Sequence, residues 1–138
     1  MSDWVLDQKL ADDSVFVVDW PLSQLRLIND SRFPWLVLVP RVSDIEEIFQ
    51  LSDEDQQQLL QESSQLAKIL SASYEADKLN VAALGNVVRQ LHVHHIVRYV
   101  DDCCYPSPVW DVGEALPYKD IELQQRVDEL RTALTLVH

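Results

Sequence analysis

Glycine, cysteine and basic residues are all scarce in this chain, and each scarcity removes a class of protein. Two glycines in 138 residues exclude glycine-periodic and glycine-rich repeat architectures. A hydrophobic content of 47% with 25% charged residues lies outside the range of chains too polar to fold. The two cysteines, Cys103 and Cys104, are adjacent. A bridge between neighbours is strained and no framework of spaced disulfides can be built from them, which points to a reducing cytoplasm. Lys and Arg number 11 against 23 Asp and Glu, a net charge of −12 that opposes non-specific attraction to a nucleic acid polymer or an anionic membrane surface. A small phosphorylated ligand stays open, because a pocket can be locally electropositive through imidazole, Arg and backbone N–H groups. Long apolar runs are also missing. The longest, Pro34 to Pro40, falls far short of the roughly 20 residues a membrane-spanning helix needs. The opening segment MSDWVLDQKLADD holds acidic side chains and no continuous apolar core, so no export signal is expected.

What remains reads as one compact α+β domain over residues 1–138, without repeats, low-complexity tracts or a linker. Ser14 to Trp20 and Leu25 to Ile28 are rich in strand-forming residues and are closed by Pro21 and by the turn residues Asn29, Asp30 and Ser31. Trp35 to Val39 is apolar at every position between two prolines, the pattern of a central, buried strand. Ser43-Asp-Ile-Glu46 and Ser52-Asp-Glu-Asp55 both look like capped helix starts. The second predicts a long amphipathic helix carrying Leu59, Leu60, Leu66, Ile69 and Leu70. Leu79 to Ala83 and Val87 to Val100 predict a hairpin-like pair of strands around Gly85. Residues 101–117 predict an ordered loop. A last helix is expected from about Lys119, with Leu123, Val127, Leu130, Leu134 and Val137 on one stripe. Strands, a long helix, strands and a terminal helix predict a mostly antiparallel sheet.

The chemistry concentrates in Gln90-Leu91-His92-Val93-His94-His95-Ile96-Val97, which holds three of the four histidines. On a strand, alternation puts Gln90, His92 and His94 on one face and Leu91, Val93 and His95 on the other. Same-face neighbours then stand about 6.5 Å apart, close enough for two imidazoles to meet one phosphate. A neutral imidazole is a competent nucleophile near neutral pH when a backbone carbonyl fixes its tautomer. His92 suits that role, and His94 suits donation to a non-bridging phosphate oxygen.

This run resembles the histidine triad family, whose strand carries three histidines alternating with apolar residues and followed by two more. The resemblance extends along most of the chain. Leu27-Ile-Asn29-Asp30 matches the family's ligand-binding Asn after an early strand, and Val37-Leu-Val-Pro40 matches its apolar strand ending in proline. The long helix follows, and then Asn80, Gly85 and Asn86 precede the triad. The resemblance implies a HIT-like fold built on a five-stranded sheet. It implies a homodimer with one continuous ten-stranded sheet, in which the 101–138 loop and helix supply dimer contacts or selectivity. It also implies a hydrolase or nucleotidyl transferase acting at the α-phosphate of a nucleotide ester, polyphosphate or phosphoramidate through a nucleotidyl-histidine intermediate. Asn29 would lie near the ribose, Asn80 and Asn86 near the phosphate and leaving group, His92 would attack and His94 would bind phosphate. Gln90 takes the place of the first triad histidine; it keeps hydrogen bonding but does not titrate near neutrality. His95 occupies a usually apolar position. A nucleotide-binding module with little catalysis is the alternative.

Plainer roles stand beside these. Asn29, Asn80 and Asn86 also suit turns and caps. His-x-His pairs serve metals elsewhere, but no ligand with zinc-like spacing accompanies these, so neither a metal nor another cofactor is expected. Arg89 and Arg98 flank the triad, where solvation or pairing with Asp101 or Asp102 is the common fate. Trp35 and Phe33 suit core or interface. Trp110, held between prolines and the chain's last segment, is expected at a pocket edge or dimer contact, and Cys103 and Cys104 have no base beside them.

Overall fold

The computed structural model describes residues 3–135. A short helix α1 (Gln8–Asp13) leads into β1 (Ser14–Asp19), β2 (Ser23–Ile28) and β3 (Trp35–Pro40). A single turn of 3-10 helix (Ile48–Gln50) precedes the long helix α2 (Asp53–Tyr74), followed by β4 (Lys78–Ala82), β5 (Val93–Arg98) and α3 (Asp120–Thr135). The sheet has five strands in the order β1-β2-β3-β5-β4, and every neighbouring pair is antiparallel. The α+β architecture with an antiparallel sheet is the one its sequence pattern predicts.

β3 is central and apolar throughout because both of its faces are covered. Leu36 and Leu38 face α2 and α3, joining Leu25, Leu27, Val93 and Val97 against Leu66, Leu70, Val127 and Leu130. Val37 and Val39 face the opposite way and pack with Leu10 of α1 and the partly buried Trp4, Leu6 and Val88. The α2 N-terminus follows the capping pattern: the Ser52 hydroxyl accepts from Asp55 N–H, and Asp53, Glu54 and Asp55 fill the first turn. The α3 stripe of Val127, Leu130 and Leu134 is buried; Val137 lies outside the described residues.

Two local expectations are corrected, and one helix stands where none was expected. Ser43-Asp-Ile-Glu46 begins no α-helix, because Asp44 adopts a left-handed backbone (φ 60°) and the Gln50 side chain accepts from the Glu46 and Glu47 N–H groups. Local side-chain bonds displace the helical ones there. The second correction concerns 87–92, which is not strand: Leu91 N–H donates to Ile45 in a loop, so the strand begins at Val93 and both Gln90 and His92 precede it. The helix not expected is α1, which carries only one buried residue, Leu10, and so left no period to read.

The 101–117 segment is ordered by charge. Arg98 is 1% exposed and pairs with Asp102, itself 5% exposed, at 2.8 Å. Its other donors reach Asn80 Oδ1 and the Ser107 carbonyl, both at 2.8 Å, and its guanidinium lies over Phe33 and Tyr105. The Arg98 bond holds the Asp102 carboxyl well below the usual carboxylate range. Asp102 also accepts from the N–H groups of Tyr99, Cys104 and Tyr105, so one ion pair turns the chain out of β5. Arg98→Leu leaves a buried carboxylate without its cation and is expected to lower unfolding free energy by about 3–5 kcal/mol in urea denaturation. Adding Asp102→Asn should recover part of that loss.

Candidate active site

Opposite α2 and α3, the sheet forms the floor of a cleft of about 840 Å³ lined by His92, His94, Trp35, Trp110, Asn29 and Asn86, among others. The alternation of β5 sends adjacent His94 and His95 to opposite faces. His94 pairs in register with Val37, and His95 with Leu36, so one imidazole enters the cleft and the other enters the helix-covered core.

His92 Nδ1 lies 2.7 Å from the carbonyl oxygen of Gln90. A carbonyl only accepts, so Nδ1 carries the proton and, in the neutral ring, Nε2 keeps its lone pair. The His92 and His94 rings meet edge-on with centroids 4.9 Å apart, nearer than strand spacing alone predicts. On the other side of His94, the Trp35 indole N–H donates to Nδ1 at 2.9 Å, and the Trp110 ring stands edge-on at 4.8 Å. Burial pushes the His94 imidazole down to about 3, with repulsion from His92 and His95 adding to it. It is therefore a neutral group at physiological pH.

The remaining predicted residues divide. Asn29 lines the cleft while its Oδ1 accepts from Tyr118 N–H at 2.9 Å, fastening the end of β2 to the start of the α3 segment. Asn86 lines the cleft from the turn after Gly85, whose left-handed backbone (φ 71°) suits glycine. Asn80 lies outside it: its Oδ1 is taken by Arg98 and it lines a separate depression with Pro108 and Trp110. Gln90 also turns away, donating to the Val5 carbonyl at 2.9 Å and accepting from Asp7 N–H at 2.8 Å. Arg89 pairs with Glu46 at the exposed surface, and Cys103 and Cys104 are free thiols.

Sequence reasoning missed several walls of the site. Trp35 reads as core, and only the pairing of β3 with β5 reveals its bond to His94. Lys9, Asp12 and Asp13 reach the cleft on α1, which had no sequence signature. Arg32 joins it from the β2–β3 turn, but donates to buried Asp30 at 2.8 Å, as Lys9 does to Asp13 at 2.9 Å. Both cations that line the cleft are thus already paired. Among the described residues no group of three His, Cys, Asp or Glu side chains is arranged to hold a metal ion, and no helix is long and apolar enough to cross a membrane.

On the helix face, His95 is fully buried between the Ser63 hydroxyl at 2.7 Å and the Val93 carbonyl at 3.1 Å. Its neutral form satisfies both, Nδ1 donating to the carbonyl and Nε2 accepting from Ser63. Burial pushes its imidazole down from 6.5 to about 4. Since the unfolded chain takes up this proton first, stability is full above about pH 6.5 and is lost as pH falls toward about 4, by up to roughly 3 kcal/mol. Urea midpoints measured across that range should show the decline, and His95→Leu should remove its share of it, leaving that of His94, whose imidazole burial also pushes down.

The pattern of the HIT domain family matches residues 9–101 of the chain. A histidine triad protein from Marinobacter aquaeolei VT8 is 42% identical, covers 98% of both chains and superposes with a TM-score of 0.95. One from Bradyrhizobium japonicum is 42% identical over 94% of this chain and 97% of its own, with a TM-score of 0.91. One from Sinorhizobium meliloti 1021 is 42% identical over 92% and 96%, with a TM-score of 0.88. No curated protein matches the chain significantly.

Proposed function

The chain belongs to the histidine triad (HIT) family, and on that premise we propose that it is a nucleotide phosphohydrolase or nucleotidyl transferase with His92 as its nucleophile. The observation that carries this reading is the 2.7 Å bond from His92 Nδ1 to the Gln90 carbonyl, which leaves a lone pair on Nε2 at a cleft wall beside His94. In the first step Nε2 attacks the α-phosphorus of a nucleotide ester, polyphosphate or phosphoramidate. A P–N bond forms, and the bond to the leaving group breaks with its electron pair departing on that group. In the second step water, or an acceptor hydroxyl, attacks the same phosphorus. The P–N bond breaks, His92 regains its lone pair, the attacking oxygen's proton passes to solvent, and a nucleoside monophosphate or its ester is released.

His94 serves as the phosphate ligand and offsets the charge that develops on the non-bridging oxygens. Asn29 and Asn86 sit where they suit ribose and phosphate contacts. Asn80 and Gln90 have their carboxamides committed to Arg98 and to the Val5–Asp7 segment, so in a single protomer their roles in the reaction are indirect. Trp110 edges the cleft and gives the 101–118 loop a part in selecting the leaving group. We assign the chain to one domain over 138 residues, and its free, adjacent thiols suit the cytoplasm. A homodimer pairing two β4 edges would extend the five-stranded sheet to ten strands, as the family resemblance implies.

The replacement of a titratable triad histidine by Gln90, with its amide spent on the N-terminal segment, favours one other reading: a nucleotide-binding module with little turnover. Mixing the protein with adenosine 5′-phosphoramidate and measuring intact mass separates the two. An adenylyl adduct that His92→Ala abolishes, together with turnover that the same variant lowers by several orders of magnitude, establishes the enzyme. AMP binding without an adduct establishes the module. Sedimentation equilibrium is expected to return a dimer, and a monomer would remove the shared sheet.

A further inference from the structure

The two cleft imidazoles are held by partners of opposite kind. His92 Nδ1 faces a carbonyl oxygen, which can only accept. His94 Nδ1 faces the indole N–H of Trp35, which can only donate. A ring nitrogen that accepts from an indole has no proton of its own, so the hydrogen of a neutral His94 must reside on Nε2. Two residues apart, one histidine therefore keeps a bare Nε2 and the other a protonated one.

We propose that Trp35 is a positioning residue of the reaction, its indole N–H holding His94 in the Nε2–H tautomer so that the imidazole presents a fixed, neutral donor to the phosphate that His92 attacks. The assignment rests on the phosphoryl-transfer reading of the cleft, and its geometry is independent of that reading. Trp35 is itself immobilised. It pairs with Ile96 across β3 and β5, and its ring meets Phe33 at 6.4 Å and Trp110 at 5.5 Å, both edge-on. The indole therefore has little freedom to leave its acceptor.

The reason for such a lock lies in the surroundings of His94. The groups facing it are His92, Trp35 and Trp110, with His95 behind it on the strand, and none is a carboxylate that would favour an imidazolium. Burial makes the charged form unfavourable there. A neutral imidazole has two tautomers, and only one offers an N–H at Nε2. Without a partner at Nδ1, part of the population would present a lone pair to the phosphate oxygens and repel them. Lys9 and Arg32, the cations lining the cleft, are engaged by Asp13 and Asp30, so a neutral N–H donor matters more than it would in a basic pocket. The donor also acts without first acquiring a proton, which leaves His92 free of an adjacent positive charge.

Nitrogen-detected NMR of the ¹⁵N-labelled protein reads the tautomer directly, because protonated and bare ring nitrogens resonate far apart. The wild type should show a bare Nδ1 and a protonated Nε2 at His94, with the reverse at His92; a protonated Nδ1 at His94 overturns the proposal whether or not the protein turns over. Trp35→Phe should convert the His94 signals to a tautomer mixture. With adenosine 5′-phosphoramidate it should lower kcat on the order of ten- to a hundredfold, the usual consequence of losing a partner that orients a functional imidazole, while KM moves less than about threefold. His94→Gln, which can put an amide N–H near the Nε2 position whatever Trp35 does, supplies the control for packing. In that background Trp35→Phe should change kcat less than about twofold, and an equal loss in both backgrounds would make Trp35 merely structural. If the wild type forms no adduct and has no turnover, the reaction assigned to the cleft fails while the NMR result still decides the tautomer. If Trp35→Phe does not fold, the wild-type spectrum decides it alone.

Discussion

Everything in the site depends on β5 being buried on both faces while its side chains alternate. Val93, His95 and Val97 are driven toward α2 and α3, and His94, Ile96 and Arg98 toward the opposite side. Three polar side chains on one buried strand would be ruinous without partners. Each has a different solution: His95 is satisfied by Ser63 and a carbonyl, His94 by an indole, and Arg98 by Asp102, Asn80 and a carbonyl. The same pleat thereby produces a core element, a cleft donor and an anchor for the loop that carries Trp110.

Electrostatics follows a matching pattern. The chain is strongly acidic, yet the cations near the cleft are not free: Arg32 is taken by Asp30 and Lys9 by Asp13. On the function proposed above, an anionic substrate would be held by directed N–H groups more than by net charge, which would select a phosphate in one position over a polyanion in general. The pairing also orders the walls. Arg32 donates to the Val112 carbonyl as well as to Asp30, so the β2–β3 turn and the 111–118 segment are fastened to each other across the mouth.

Gln90 joins two distant parts of the chain. Its carboxamide donates to Val5 and accepts from Asp7, and Asp7 caps α1 by accepting from Lys9 N–H. Gln90 thus ties the N-terminal segment to the histidine run, and α1 in turn walls the cleft through Lys9, Leu10, Asp12 and Asp13.

Much of this was readable in one dimension. Alternation and apolar runs identified all five strands and the centrality of β3, heptad-like spacing identified α2 and α3, and the histidine run marked the cleft, because each of these signals is local and repeats every two to four residues. The strand boundary at Val93 and the failed helix at Ser43 were not readable, since both depend on which loop supplies a hydrogen-bond partner. Nor did composition distinguish Asn80 from Asn29 and Asn86: the first is claimed by an arginine from the neighbouring strand and the others line the cleft. The sequence by itself determined that imidazoles two residues apart would be brought to one side of the sheet, although His92 itself precedes the strand that carries His94. Only the tertiary structure decided which proton each would carry, because that depends on a carbonyl two residues away in one case and, in the other, on an indole 59 positions distant in sequence, brought within hydrogen-bond reach by the register of β3 on β5.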